Sequence, residues 1–485
     1  MAHAPPKWRI DPPGEAPDTF HLTKNHKIEG KPVSDTTTAA TTTAAPAIDI
    51  AAPLILPCGL RLKNRLAKGA MTEGLADTRN RATPALEALY RRFAQGGCGL
   101  LITGNIQVHP DNLERAANVV VSREMDAAAI QALAGFAAAG KENGTVLWGQ
   151  ISHAGRQTPI AVNKTPQAPS AIALPLPGKQ FGVPKAMTET EIEDVIGRFV
   201  FAATTLKEAG FDGVQIHGAH GYLISQFLSP RANVRTDRWG GALENRARLL
   251  LEVVRRVRAA VGPGFGLGVK LNSADFMKGG FADDEAVTVA RWLEAEGIDL
   301  LEISGGSYER PIMMGNETMA SDTRARETRR ASTIAREAYF MDYAQTMRAA
   351  VKTPLMVTGG FRSRAAMDEA LASGACDLIG LARPLCVAPD APNGLLNGTL
   401  PRLDDWESRL RVGPGRWLGP ASPLDLVKLV NGFGAQGWFC LQLMAIGRGG
   451  APDTGLGVLP AFIRYQVNEA RTAKAMHAAR KSAQA

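Results

Sequence analysis

The chain has 485 residues, 45% of them hydrophobic and 21% charged, which suits a soluble globular protein of about three average domains or one elaborated α/β barrel. No apolar run approaches the roughly 20 residues of a spanning helix, and no basic-then-apolar leader opens the chain, so membrane insertion and export are not expected. The net charge of +8 gathers in Arg464, Arg471, Lys474, Arg480 and Lys481, a pattern of a solvated helix end rather than a nucleic-acid surface.

Residues 1–47 are rich in Pro and polar residues and end in the Thr/Ala tract Thr36–Ala45, which predicts a flexible extension. From about 48 to 395 short apolar runs alternate with longer amphipathic ones. The strand-like runs are Asn64–Met71, Gly99–Asn105, Thr145–Ser152, Gly213–His217, Gly266–Asn272, Leu300–Ser304, Leu355–Gly359 and Asp377–Leu381. Helical stretches lie between them at Pro84–Gln95, Thr188–Ala209, Leu243–Val261, Asp283–Ala295, Arg336–Val351 and Arg364–Ser373. Thr188 and Glu191 are spaced as a capping box, and Gly210 stands where that helix should end. Eight apolar strands, each followed by a crossover, predict a closed parallel sheet buried on both faces, a (β/α)8 barrel. An open doubly wound sheet fits less well, because no G-x-G-x-x-G turn follows the first strand. Residues 396–485, with Trp406, Trp417, Trp438, many glycines and a charged helix near Ala461–Lys481, predict a C-terminal extension packed on the barrel. The five cysteines (Cys58, Cys98, Cys376, Cys386, Cys440) are dispersed without a C-x-x-C pair. That argues for a reducing, cytoplasmic compartment and against zinc ribbons, iron–sulfur clusters or a disulfide framework.

In such barrels the chemistry lies at the C-terminal strand ends. Strand 1 ends in Ala70-Met71-Thr72, strand 2 in Thr103-Gly104-Asn105, and strand 3 carries Gln150 and His153. Strand 4 ends in His217-Gly218-Ala219-His220-Gly221-Tyr222, and strand 5 carries Lys270. Strands 7 and 8 end in Gly359-Gly360 and Ala382-Arg383, where barrels commonly cradle a phosphate between backbone N–H groups and a cation. Lys270, among apolar neighbours, needs an anionic partner, and a reduced flavin ring would supply one. Gln150 can both donate to and accept from a pyrimidine-like edge. Cradle, cation and amide together indicate FMN rather than a dinucleotide. His217 and His220 can donate to one substrate oxygen while the Tyr222 phenol delivers a proton to carbon. Two alternatives stay open: a zinc hydrolase using His153, His217 and His220, and a non-catalytic FMN-binding barrel. Arg324, Arg326, Arg329 and Arg330, in a long polar segment after strand 6, are expected either to be solvated or to engage the 2′-phosphate of NADPH.

Residues 211–248, FDGVQIHGAHGYLISQFLSPRANVRTDRWGGALENRAR, resemble the signature region of the old yellow enzyme family of FMN-dependent ene-reductases. LKNRLAKGAMT (62–72), GQISHAGRQ (149–157), GVKLNSADF (268–276), LLEISGG (300–306), TGGFR (358–362) and GLARPL (380–385) fall in the family's order. The resemblance implies FMN, NADPH or NADH as electron donor, and a small electrophile such as an α,β-unsaturated carbonyl, a nitro compound or a quinone. It implies that Thr72 bonds the flavin and tunes its potential, that Gly104 and Gln150 contact the ring, and that Lys270 sits beside N1. It places the phosphate at Gly359, Gly360, Ala382 and Arg383. His217 and His220 would hold the substrate oxygen, with Tyr222 as proton donor. Lys270 stands where many members have Arg, and Ala70 where proline is frequent before Met71-Thr72. The iron–sulfur segment and second nucleotide domain of the larger members are not expected here. Neither a nucleic acid nor a membrane is expected as a partner, and self-association is left open.

Overall fold

The computed structural model describes residues 48–176, 180–275, 277–305 and 341–484. The expectations for the N-terminal extension and for the arginine-rich segment after strand 6 fall outside these residues. Eight strands form the barrel: β1 (Leu66–Lys68), β2 (Leu100–Ile102), β3 (Val146–Ser152), β4 (Gly213–Gly218), β5 (Gly266–Asn272), β6 (Leu300–Ser304), β7 (Leu355–Thr358) and β8 (Leu378–Leu381). Each pairs in parallel with the next, and β8 pairs with β1 to close the sheet. Every residue of β1 to β6 is buried. This is why the strands read as continuous apolar runs rather than alternating ones.

The crossovers carry α1 (Pro84–Gln95), α2 (Ala127–Gly140), α3 (Glu189–Glu208), α4 (Leu223–Leu228), α5 (Leu243–Val261), α6 (Asp283–Ala295), α7 (Met341–Ala350) and α8 (Arg364–Ala372). The capping box forms at α3: Thr188 Oγ1 accepts from Glu191 N, and Glu191 Oε2 accepts from Thr188 N at 2.9 Å. Helix α2 is absent from the helices expected from the sequence. Its alanines give no strong apolar stripe, and its start is fixed instead by Asp126, which accepts from Ala129 N.

The barrel floor is closed by a hairpin of Leu54–Ile55 with Arg61–Leu62. Leu54, Leu56 and Leu62 pack there with Ala67, Leu100, Val146, Leu300 and Trp148. The fully buried indole of Trp148 fills space left by three glycines. A Cβ on Gly213, Gly266 or Gly268 would come within 2.4, 2.4 and 2.7 Å of it. The floor is therefore solid, and the open end of the barrel is the one formed by the C-terminal strand ends.

Beyond β8 the chain adds α9 (Ala391–Asn397), α10 (Gly415–Leu418) and a hairpin of two long helices, α11 (Asp425–Gly447) and α12 (Val458–Gln484). Helix α11 packs on α12 and on α1. Among the described residues no helix is long and apolar enough to cross a membrane.

Candidate active site

A cavity of about 740 Å³ opens over the C-terminal strand ends. It is lined by Ala70, Met71 and Thr72 after β1, Gln150 of β3, His217 of β4 with His220 and Tyr222 just beyond, and Lys270 of β5. Gly359 and Gly360 after β7 and Ala382 and Arg383 after β8 complete the predicted set. Of the flavin and substrate residues expected from the sequence, only Gly104 is not in the lining. Its N–H donates to Glu73 Oε1 at 2.8 Å and to the Tyr90 hydroxyl at 3.1 Å, in a buried polar layer behind the cavity. A Cβ there would lie 2.3 Å from Glu73 Oε2 and 2.4 Å from the Met71 carbonyl oxygen. Glycine is needed at 104 for close packing against the β1 end.

At one end of the cavity Gly359 (φ 126°) and Gly360 (φ 85°) turn the backbone through conformations that only glycine adopts freely. Thr358 Oγ1 is buried there with no hydrogen-bond partner among the described residues. Arg383 Nε approaches Glu407 Oε1 at 2.8 Å, and Arg362 Nη2 reaches the same oxygen at 2.5 Å. Two guanidinium groups, a positive-φ glycine pair and an unpartnered hydroxyl suit a phosphate monoester. Glu407, from the C-terminal segment, was not foreseen: nothing near it in the sequence marks it as facing two arginines.

The cavity floor is a chain of side chains set by strand register. Gln150 lies beside Gln215, and Lys270 lies between His217 and Glu302. Gln150 Nε2 donates to Gln215 Oε1 at 2.6 Å, and Gln215 Nε2 donates to Glu302 Oε2 at 2.8 Å. Lys270 Nζ meets Glu302 Oε1 at 2.9 Å, with side chains 5% and 0% exposed. This corrects the expectation that Lys270 relies on a flavin for its anionic partner, because the protein supplies Glu302. The signal was an acidic residue inside the apolar run Leu300–Ser304, one strand from an equally isolated lysine.

The histidines project from the β4 end. The rings of His217 and His220 are 5.0 Å apart and those of His217 and Tyr222 4.8 Å, both edge to face. His220 holds a positive φ of 61°, rare for a residue with a side chain. Its backbone N–H donates to Asn272 Oδ1, and its Nε2 lies 2.6 Å from Ser304 Oγ. Burial pushes both imidazoles well below the ordinary histidine value, and for His217 the neighbouring His220 and Lys270 act in the same direction. Both are neutral near pH 7. His217 Nδ1 accepts from Ala219 N, which leaves its single proton on Nε2.

His153 does not join them. It lies outside the cavity lining, its ring packed edge to face on His109 at 5.7 Å and its Nδ1 accepting from Gly155 N. Among the described residues no group of three His, Cys, Asp or Glu side chains could hold a metal ion. The zinc arrangement drawn from the sequence therefore lacks its third ligand.

Two further features of the site were not foreseen. Glu114, in the loop that follows β2, accepts from the hydroxyls of both Thr72 and Tyr222. Ala435, Phe439, Cys440 and Leu443 of α11 also line the cavity, opposite the barrel.

A (β/α)8 barrel with a glycine pair and two arginines at one end of the cavity, an internal lysine and polar groups converging there has the layout of a flavin-type oxidoreductase scaffold. Residues 52–399 match the model of the NADH:flavin oxidoreductase / NADH oxidase family, and the chain belongs to that family. It is 37% identical over 352 residues to the NADH-dependent flavin oxidoreductase of Aspergillus parasiticus, covering 70% of this chain and 76% of that one. It is 37% identical over 356 residues to a protein of the same description from Neonectria sp.. There the match covers 70% of this chain and 46% of the relative, so the chain spans about half that protein's length. The old yellow enzyme homologue from Zymomonas mobilis superposes with a TM-score of 0.60 at 25% identity, over 74% of this chain and 95% of that one. Membership makes FMN the cofactor and a nicotinamide nucleotide the electron donor, and the residues lining the cavity fit that cofactor.

Proposed function

We propose that the protein reduces activated alkenes, α,β-unsaturated carbonyl compounds above all, with nitro compounds and quinones as further electron acceptors. The observation that carries this reading is the grouping of two neutral imidazoles and a phenol in one cavity, with ring centres about 5 Å apart. FMN, when bound, supplies the hydride-donating centre that the nicotinamide recharges. Gly359, Gly360 and Arg383 would hold its phosphate, and Gln150 and Lys270 its ring.

The remaining chemistry belongs to the chain. Neutral His217 and His220 can each donate one hydrogen bond to a substrate oxygen. Such bonds strengthen as negative charge grows on that oxygen, so they favour the transition state over the bound substrate. An imidazolium pair would instead repel itself and Lys270. Tyr222, edge-on to His217, donates its proton to the α-carbon. Cavity walls of Met71, Phe439 and Leu443 exclude water and keep the oxygen's charge on these donors.

The test is Tyr222→Phe, which keeps the ring and removes the proton. In anaerobic stopped-flow, reoxidation by cyclohexenone is expected to slow roughly 10²–10⁴-fold relative to the reduction step, the range for loss of a general acid. Reoxidation by a quinone, which needs no proton at carbon, should slow far less. Turnover of cyclohexenone at the wild-type rate would remove Tyr222 from the mechanism.

A further inference from the structure

We propose that Glu114 positions the Tyr222 hydroxyl and returns the proton that Tyr222 gives to substrate. The proposal rests on the reading of Tyr222 as proton donor given above. Glu114 is 6% exposed and faces the cavity. Its two carboxylate oxygens divide between the two hydroxyls. Oε1 accepts from Thr72, with Asn118 Nδ2 at 3.4 Å, and Oε2 accepts from Tyr222, with Asn105 Nδ2 at 2.8 Å. A carboxylate buried with four side-chain donors, two of them from residues assigned to the reaction, is more than the packing of a loop requires.

Other ionisable groups surround it. Arg115 follows Glu114 on the same loop, Glu469 of α12 interacts with both of them, and Cys440 of α11 is close to all three. On the far side of Tyr222 stands the neutral ring of His217. Glu469, half-buried, is a second carboxyl near the first, and burial pushes it above the ordinary carboxylate value.

The chemistry follows from charge. A phenol that loses its proton beside an ionised carboxylate leaves two anions in contact, which opposes the transfer. The proposed relay therefore runs through the acid form of Glu114, whose O–H would donate to the Tyr222 oxygen, the reverse of the bond in the structure, in which the Tyr222 hydroxyl donates to Oε2. The Tyr222 O–H bond breaks as the α-carbon C–H bond forms from the enolate's electron pair. In the same movement the Glu114 O–H bond breaks and the Tyr222 O–H bond is remade. One negative charge passes from the enolate oxygen to Glu114, and Tyr222 ends neutral. The hydride comes from the nicotinamide-driven activity of the family, so electrons and atoms balance. Glu114 takes a proton from solvent before the next cycle.

Glu114→Gln keeps the size and the hydrogen bonding but cannot deliver a proton. Its ratio of cyclohexenone to benzoquinone reoxidation rates should fall at least about 10²-fold, with partial recovery in Glu114→Asp. The proton inventory of the enone reaction should change from curved, with two protons in flight, to linear. Independently of turnover, the ¹³Cζ resonance of Tyr222 in labelled protein, assigned through Tyr222→Phe, should titrate at lower pH in Glu114→Gln, since a like charge is gone. An unchanged rate ratio with an unchanged tyrosine resonance overturns the proposal, as does equal slowing with both acceptors, which would mark a packing role. If Tyr222→Phe is slow while Glu114→Gln is not, the relay alone falls. If Tyr222→Phe keeps the wild-type rate, the donor reading falls and takes the relay with it.

Discussion

Replacing Glu302 with Gln isolates the charge on which the cavity floor depends. Lys270 and Glu302 form a pair at 2.9 Å with side chains 5% and 0% exposed, and Gln215 donates to the other carboxylate oxygen. Gln at 302 keeps the volume and can still accept from Gln215, so what is lost is the negative charge opposite Lys270. Removing one partner of a buried pair costs about 3–5 kcal/mol. A second route gives the same scale: the lysine can fold neutral, and shedding its proton at pH 7 from an ordinary value of about 10.4 costs roughly 4.6 kcal/mol. The deficit cannot exceed that ceiling by much. In Glu302→Gln the unfolded chain then carries one proton more than the folded one. Its stability should rise with pH between 7 and 9 by roughly 1.4 kcal/mol per unit relative to wild type. The double variant Lys270→Met, Glu302→Gln removes both charges and should recover most of the loss. Urea unfolding of the four proteins of this cycle at pH 7, 8 and 9 measures all of it. A loss below about 1 kcal/mol in Glu302→Gln, independent of pH and additive with Lys270→Met, would refute the pairing.

The proposed phosphate cradle predicts that Arg383→Ala weakens FMN binding about 10–100-fold, the worth of one charge-assisted bond, with riboflavin binding little changed. Fluorescence quenching measures both, and equal losses for the two flavins would remove Arg383 from the phosphate. Acid should destabilise the fold, because burial holds His153, His217 and His220 well below the ordinary histidine value. Their stabilisation is complete above the unfolded value of about 6.5 and is lost as pH falls through it, at roughly 4 kcal/mol per unit for the three together. Unfolding free energies from urea titrations should be flat from pH 8 to about 6.5 and approach that slope only below it, toward pH 5, and His153→Gln, which lies outside the cavity, should take about a third of the slope away; a profile flat down to pH 5 contradicts the burial of neutral rings.

The parts of this fold that could be read from the sequence are those whose cause is local. Strands buried on both faces need long apolar runs, and β5 and β6 begin and end where those runs do. Helices α1, α5 and α6 also start and stop at the residues expected, each having a strong apolar stripe and a punctuated end. Helix α11 was hidden by its glycines, which suggest a breaker when viewed alone. In the structure they are contact points: a Cβ on Gly434 would lie 2.6 Å from Val458, one on Gly437 2.9 Å from Tyr465, and one on Gly447 2.6 Å from Leu75. The site divides in the same way. His217, His220 and Tyr222 share one strand end and declare themselves by spacing. Glu114 lies 42 residues from Thr72 and 108 from Tyr222, so no local pattern ties it to either. Gly104 sits at a strand end like its neighbours, yet its backbone is needed for packing, a distinction that only the position of Glu73 reveals.

The cavity also shows why the family pattern alone describes the site incompletely. The matched segment closes at residue 399, and it contains the strand ends that carry the imidazoles, the phenol, the lysine and the cradle. Glu407, which lies between Arg362 and Arg383, comes after it, as do Phe439, Cys440 and Leu443 on the opposite wall. Helix α11 is held in that position from two sides, by α12 and by α1, with Trp438 fully buried and its indole N–H donating to Leu456 O at 2.8 Å. A wall fixed by a buried tryptophan and by glycine contacts has little freedom to yield to a ligand. The groups proposed to react and the shape of the space around them therefore come from different parts of the chain. A substitution on α11 can change which molecules fit without touching any residue assigned to the chemistry.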